Sequence, residues 1–253
     1  MYGNYRVHLL STVELAHYII RTMKLENMRT RETRDIKHCQ FTAWPDHGVP
    51  NHPTPFLMFL KRVKALNPVD AGPITTHCSA GVGRTGAFIV IDCMLDRLRC
   101  ESTVDIYGCV RAIRTQRSYM VQTDDQYIFI YDAVLDAAQS GSTEVPSSRL
   151  PAHVKVLSHP QPQMGDLSGM QVEFRVSSSI CVSYTIPMVH ALLQTLVTLC
   201  PTAKCTIANM LCNSNKNRAA MAVPFDFNRV QLPYLSGLEG SDYINASWID
   251  SYR

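Results

Sequence analysis

An α/β fold, a twisted mixed β-sheet flanked by helices, is what the sequence predicts, and three observations point to it. Tyr5 to Leu25 alternates in part, with Val7 and Leu9 and then Val13 and Leu15 two residues apart among strand-favouring neighbours. The short β-branched run Pro73-Ile-Thr-Thr-His77 reads as a buried strand that feeds a loop of small residues. Ala87 to Arg99 then sets Phe88, Ile91, Leu95 and Leu98 along one apolar stripe, the mark of an amphipathic helix.

The remaining elements follow in order. Tyr5 to Leu25 accommodates two strands, and the mixed charges of Arg29 to Lys37 suit a solvated hairpin tip. Gln40 to Pro50 leaves a strand and enters a loop punctuated by Pro45, Gly48 and Pro50. Thr54 to Leu66 spaces Phe56, Phe59, Leu60 and Val63 as a helix, with Thr54 as the expected cap and Pro55 in its first turn. Two more helices are expected around Thr103 to Gln116 and Asp124 to Ala138. From Gln139 to Arg149 the composition turns to Ser, Gly, Thr and Pro, which marks a domain boundary. Gly240 to Ile249 reads as a turn into a strand.

Composition narrows the function classes. Hydrophobic content of 46% against 18% charged residues fits a globular chain rather than a disordered one. A net charge of +3 is too small for a nucleic-acid binder and permits no more than a local cationic pocket. The nine cysteines are odd in number and irregularly spaced, which argues for free thiols in a reducing compartment. His38, Cys39, His47 and His52 cluster but lack paired ligand spacing, so no metal and no cofactor is expected. The first residues hold no apolar run of signal-peptide type, and Met188 to Cys200 is too short to span a bilayer. The chain as written reads as cytoplasmic.

The chemistry concentrates in Cys78-Ser-Ala-Gly-Val-Gly-Arg-Thr-Gly86, between the expected strand and the helix. Such a loop can turn its N–H groups inward, and the helix start adds about half a positive charge. Gly81 and Gly83 let the backbone wrap a small anion formed around Ser79, Ala80, Gly81, Val82 and Gly83, while Arg84 offers a planar fork for two phosphate oxygens. The same field stabilises a thiolate, so Cys78 is the candidate nucleophile. Thr85 is placed to hydrogen-bond the sulfur and ease its departure. A Walker-type nucleotide loop is excluded because no Gly-Lys-Ser/Thr follows. Breaking a phosphate ester also requires a proton for the leaving oxygen. Asp46, in Trp44-Pro-Asp-His-Gly, is either a turn residue or, beside the Cys78 loop, the general acid of a closing lid.

Trp44-Pro-Asp46, His77-Cys-x5-Arg-Thr85 and Gln122-Thr-Asp-Asp-Gln126-Tyr resemble, in order, the active-site loops of tyrosine-specific protein phosphatases. The resemblance implies the fold of that family and hydrolysis of phosphotyrosine proteins through a phosphocysteine on Cys78. Asp46 would serve as acid and then base, Gln122 would position the water and Gln126 would assist. His77 would either tune the cysteine or sit satisfied in the core. The longer match, Phe41 to Gly86 and Asp105 to Val145, looks like the first catalytic domain of receptor-type phosphatases related to leukocyte common antigen-related protein. The stretch from Asn215-Lys-Asn-Arg-Ala219 through Gly240-Ser-Asp-Tyr-Ile-Asn-Ala-Ser resembles the opening of their second domain.

This implies a C-terminal portion of a first domain over 1–140, a linker over 141–210 with an unmatched segment 177–207, and the start of a second domain over 211–253. The fold would then be incomplete on its N-terminal side. In active relatives a tyrosine follows Lys-Asn-Arg, whereas this chain has Ala219. Three outcomes stay open: an active hydrolase, an impaired fragment that binds phosphoproteins or parent receptor phosphatases, and a permuted domain in which 211–253 docks where the absent strands belong.

Overall fold

The computed structural model describes residues 2–68, 70–141, 143–159, 167–179 and 203–252; the Met188–Cys200 stretch lies outside them. The chain divides into two compact units, Met1–Thr75 and Thr76–Arg253. The class is α/β, with helices and antiparallel sheets.

In the first unit, β1 (Tyr5–Glu14), β2 (Tyr18–Asn27) and β3 (Thr33–Phe41) form an antiparallel sheet in sequence order. The charged tip expected over Arg29–Lys37 is narrower, because Thr33 to Lys37 already pair with β2. Helix α1 (Thr54–Leu66) buries Phe56, Phe59 and Leu60. Tyr18 and Phe41 receive these rings, with Phe41–Phe56 centroids 5.3 Å apart and Tyr18–Phe59 centroids 5.5 Å apart. Aromatic pairs at such distances and angles contribute beyond their buried area. Thr54 is not the cap: Pro53 takes that place in helical φ/ψ, and its carbonyl accepts the Leu57 N–H at 2.9 Å. Two prolines flanking Thr54 pre-set the first turn, so no side-chain cap is needed to start it.

The second unit is built on α2 (Gly83–Glu101), α3 (Ile106–Gln116) and α4 (Asp124–Ser140). Helix α2 packs against both α3 and α4 through Val90, Ile91, Val110, Ile113, Ile130 and Ala133, all nearly inaccessible. It begins earlier than the apolar stripe suggests, since Gly83 to Gly86 form its first turn. Helix α3 begins later than expected, because Asp105 stops the chain and accepts the Gly108 N–H at 2.7 Å. Thr123 caps α4 in the same way. Two short helices, α5 (Leu150–Leu157) and α6 (Gly169–Ser179), follow.

The expected buried strand at Pro73–His77 is not formed. This run pairs with no strand among the described residues, and Ile74 is 42% exposed. β-branched composition suits a strand, but a buried strand exists only where neighbours satisfy its ladder.

Residues 203–252 complete the second unit. β4 (Arg229–Gln231) and β5 (Tyr243–Ser247) pair antiparallel, as the Gly240–Ile249 turn and strand lead one to expect. Ala208, Val223 and Tyr243 form a small core with Cys205 and Ile207 beside it. Asp226 accepts the N–H groups of Thr206 and Ile207, each at 2.9 Å. The segment is fastened to the end of α3: Asn228 donates to Gln116 O at 3.0 Å, and Gln116 exchanges two hydrogen bonds with Asp250.

Candidate active site

The loop Cys78–Val82 runs directly into α2, so its last residues double as the helix start. Gly81 holds φ +71°, a left-handed conformation that glycine adopts without strain. Beyond this turn the amides of Gly81, Val82 and Thr85 favour charge on the Cys78 sulfur. Burial alone would push that thiol up. Hydrogen bonds from the Thr85 hydroxyl and from the N–H groups of Thr85, Val82 and Gly81 outweigh it and hold the thiol below its ordinary range. By distance and angle the buried Thr85 hydroxyl has no hydrogen-bond partner among the described residues, so its pull on the sulfur is weaker than that of a formed hydrogen bond. Arg84 stands in the first turn of α2.

The segment Gln122–Gln126 is pressed against this loop. A side chain at Gly83 would meet Gln126 Nε2 at 2.8 Å, Gln126 Oε1 at 2.9 Å and Gln122 Oε1 at 3.3 Å. One at Gly86 would meet the Val121 N at 2.4 Å. Both glycines are there for close approach rather than for turning. The Gln122 N–H donates to Gln126 Oε1 at 2.9 Å, and the Val121 N–H donates to Val82 O at 3.1 Å. Tyr119 and Val121 hold positive φ, a conformation a β-branched residue resists. Arg114 holds that backbone in place, donating to Met120 O at 2.8 Å and to Val121 O at 2.6 Å.

The second unit thus brings together Cys78, Ser79, Ala80, Gly81, Val82, Gly83, Arg84, Thr85, Gln122 and Gln126. Gln126 is buried and Gln122 exposed. Asp46 belongs to the first unit, on an exposed loop whose Trp44 is buried against Phe56 and donates its indole N–H to Gly48 O at 3.1 Å. His77 is not a core residue: it is exposed, and its Nδ1 lies 3.4 Å from the Cys78 carbonyl oxygen.

Two residues that sequence reasoning did not single out hold the site. Arg114 is one. Arg117 is the other, donating to Gly81 O at 3.0 Å and reaching Ala222 O, Asn245 and Ser247 on the far side. No local spacing flags either; each looks like a surface charge at a helix end. From the same C-terminal segment, Arg218 donates to Ser79 Oγ at 3.3 Å.

Comparison with known proteins agrees with the motif reading. The protein-tyrosine phosphatase family model matches residues 1–136 and 213–253. The chain is 61% identical over 253 residues to a tyrosine-protein phosphatase Lar-like of Caenorhabditis elegans, covering all of this chain and 10% of that protein. It is 49% identical over 252 residues to receptor-type tyrosine-protein phosphatase F of Bos taurus, with 100% of this chain and 12% of that protein covered. It is 50% identical over 254 residues to receptor-type tyrosine-protein phosphatase S of Gallus gallus, with 100% and 15% covered. The chain therefore spans between a tenth and a sixth of the length of these relatives. By this match and by the loop geometry around Cys78, the chain belongs to the protein-tyrosine phosphatase family and is homologous to its LAR-like and receptor-type members.

Proposed function

We propose that the chain hydrolyses phosphotyrosine in proteins through a phosphocysteine on Cys78. One observation carries the reading: Cys78 stands at the mouth of a tight loop that runs straight into a helix, where the amides of Gly81, Val82 and Thr85 favour its thiolate. In the first step the Cys78 thiolate attacks phosphorus, the bond from phosphorus to the tyrosine oxygen breaks, and Asp46 gives its proton to that leaving oxygen. In the second, water attacks phosphorus, the S–P bond breaks, and the water proton passes to the Asp46 carboxylate. Arg84 and the amides of Ser79 to Gly83 would hold the phosphoryl oxygens, Gln122 the water, and Gln126 would support Gln122. Thr85 would stabilise the departing thiolate.

The substrates would be phosphotyrosine proteins met on the cytoplasmic side of a membrane receptor. Among the described residues no helix is long and apolar enough to cross a membrane. The domain limits would fall at 1–140, 141–210 and 211–253, and parent receptor phosphatases would be partners.

Turnover of p-nitrophenyl phosphate tests the proposal, because that substrate needs little recognition beyond its phosphate. Cys78→Ser should reduce the rate to background. Equal rates for wild type and Cys78→Ser would remove the claim.

A second reading, a phosphoprotein-binding module without turnover, is favoured by Ala219, which offers no ring to a substrate tyrosine. Tight binding of a phosphotyrosine peptide with no release of phosphate would select it.

A further inference from the structure

Arg117 is 6% exposed, and among the described residues its hydrogen bonds go to carbonyl, amide and hydroxyl oxygens rather than to a carboxylate. Burial works against its charge, and the acidic groups that favour it are Tyr243 and Cys78. A buried guanidinium without a carboxylate is costly unless its surroundings answer it in full. The two sets of acceptors here show what the charge is for.

On one side lies the loop. Nε donates to Gly81 O at 3.0 Å, and Nη2 reaches Ala80 O at 3.4 Å. A trans peptide holds its C=O and N–H in opposite directions. Gripping the carbonyls of Ala80 and Gly81 from outside therefore turns the N–H groups of Gly81 and Val82 inward. These are two of the amides that meet the Cys78 sulfur. A hydrogen bond to the carbonyl also polarises the peptide and strengthens its N–H as a donor.

On the other side lies the β4–β5 segment. Nη1 donates to Ser247 Oγ at 3.0 Å, while Nη2 donates to Asn245 Oδ1 at 2.9 Å and to Ala222 O at 3.2 Å. Asn245 is fixed in turn by its donations to Asn217 Oδ1 and Ala222 O, and the Tyr243 hydroxyl donates to the same Asn217 oxygen.

We propose that Arg117 is a positioning residue through which the β4–β5 segment sets the phosphate loop, aiming the Gly81 and Val82 amides and supplying a buried positive charge to the Cys78 anion. The inference rests on the reading of Cys78 as a thiolate nucleophile and adds the residue that shapes it. Among the described residues the charged and titratable groups around the loop include His77 against the Cys78 carbonyl, Arg84 in the first turn of α2, Arg117 after α3, Arg218 on Ser79, and Tyr243 of β5 beyond Arg117.

The test is the pH dependence of iodoacetamide alkylation at Cys78 in the full chain, followed by peptide mass spectrometry. Arg117→Met should slow alkylation at pH 6 about tenfold and raise the midpoint by about one pH unit. Arg117→Lys, which keeps the charge but not the fork, should recover part of the loss. Asn245→Asp keeps an acceptor beside Arg117 but answers its charge with a carboxylate, and should slow Cys78 about threefold. This last variant decides the matter if Arg117→Met fails to melt cooperatively. A folded Arg117→Met or Asn245→Asp protein with the wild-type midpoint overturns the inference alone. An ordinary-thiol midpoint in the wild type would sink the proposed function, and this inference with it.

Discussion

Around Cys78 the backbone is gripped by its neighbours: Arg117 takes the carbonyls of Ala80 and Gly81, Val121 bonds Val82, and Gln126 packs on Gly83. The loop of Asp46 is made differently. It lies exposed around a buried Trp44, whose indole is fixed by Phe56 and by the Gly48 carbonyl. The contrast suits the two tasks in the proposed reaction. A nucleophile and a phosphate cradle gain from a geometry fixed before substrate arrives, since their electrostatic work depends on dipoles already aligned. A proton donor that must approach a bound ester needs a segment with little buried area to break.

Replacing the two chemical groups themselves breaks this comparison most severely. Asp46→Asn should lower turnover of p-nitrophenyl phosphate about 10²–10⁴-fold. It should leave alkylation of Cys78 unchanged, because the two groups stand on separately built loops. A parallel loss in both assays would contradict the division of labour.

Packing comes next. Gly86→Ala would drive a methyl into the Val121 backbone, and should destabilise the chain by about 1–3 kcal/mol in urea unfolding. Because the clash falls on backbone rather than on a flexible side chain, relief must move Gln122 as well. A variant of wild-type stability and rate would mean that the Val121–Gln122 backbone is not pressed on α2 in solution.

The thiols offer a comparison within the second unit. Cys78 is held below its ordinary range, whereas the neighbouring Cys93 thiol and burial push Cys109 far above it. A lowered value keeps the thiolate populated as pH falls, and a raised one empties it. At pH 6–7, iodoacetamide should label Cys78 at least about tenfold faster than Cys109. Equal labelling would refute the electrostatic account of the loop.

The smallest effect is expected at the lid anchor. Trp44→Phe keeps an aromatic ring against Phe56 but loses the donor to Gly48 O, a bond worth about 1 kcal/mol. Turnover should fall about three- to tenfold with no change in Cys78 alkylation. A larger loss would make that anchor more than a tether.

Much of this was legible in the chain, because the features concerned are local. The stripe Phe88, Ile91, Leu95 and Leu98 marks α2, and the alternation near the start marks β1 and β2. The small residues around Gly81 mark the tight loop at the start of α2. Local signals misled where a neighbour had to decide. Pro73–His77 has strand composition but no ladder partner among the described residues. Thr54 has a capping side chain, yet the prolines around it start the helix one residue earlier. Of the two readings of His77, the core one fails because the residue is exposed, with its ring directed at the Cys78 carbonyl.

By itself, then, the sequence determined the groups on which the proposed chemistry rests: one cysteine, one guanidinium and a run of small residues between them, together with an aspartate after Trp-Pro. The cysteine, the small residues and Arg84 lie within one loop of backbone, so their order in the chain is their arrangement in space. Only the tertiary structure decided what holds that turn in shape. Arg117 meets Gly81 across 36 residues and Ser247 across 130, and no periodicity or spacing encodes such a meeting. Burial converts its charge from an ordinary surface group into a fixed part of the loop, because away from water a guanidinium must be answered by whatever oxygens the fold brings to it.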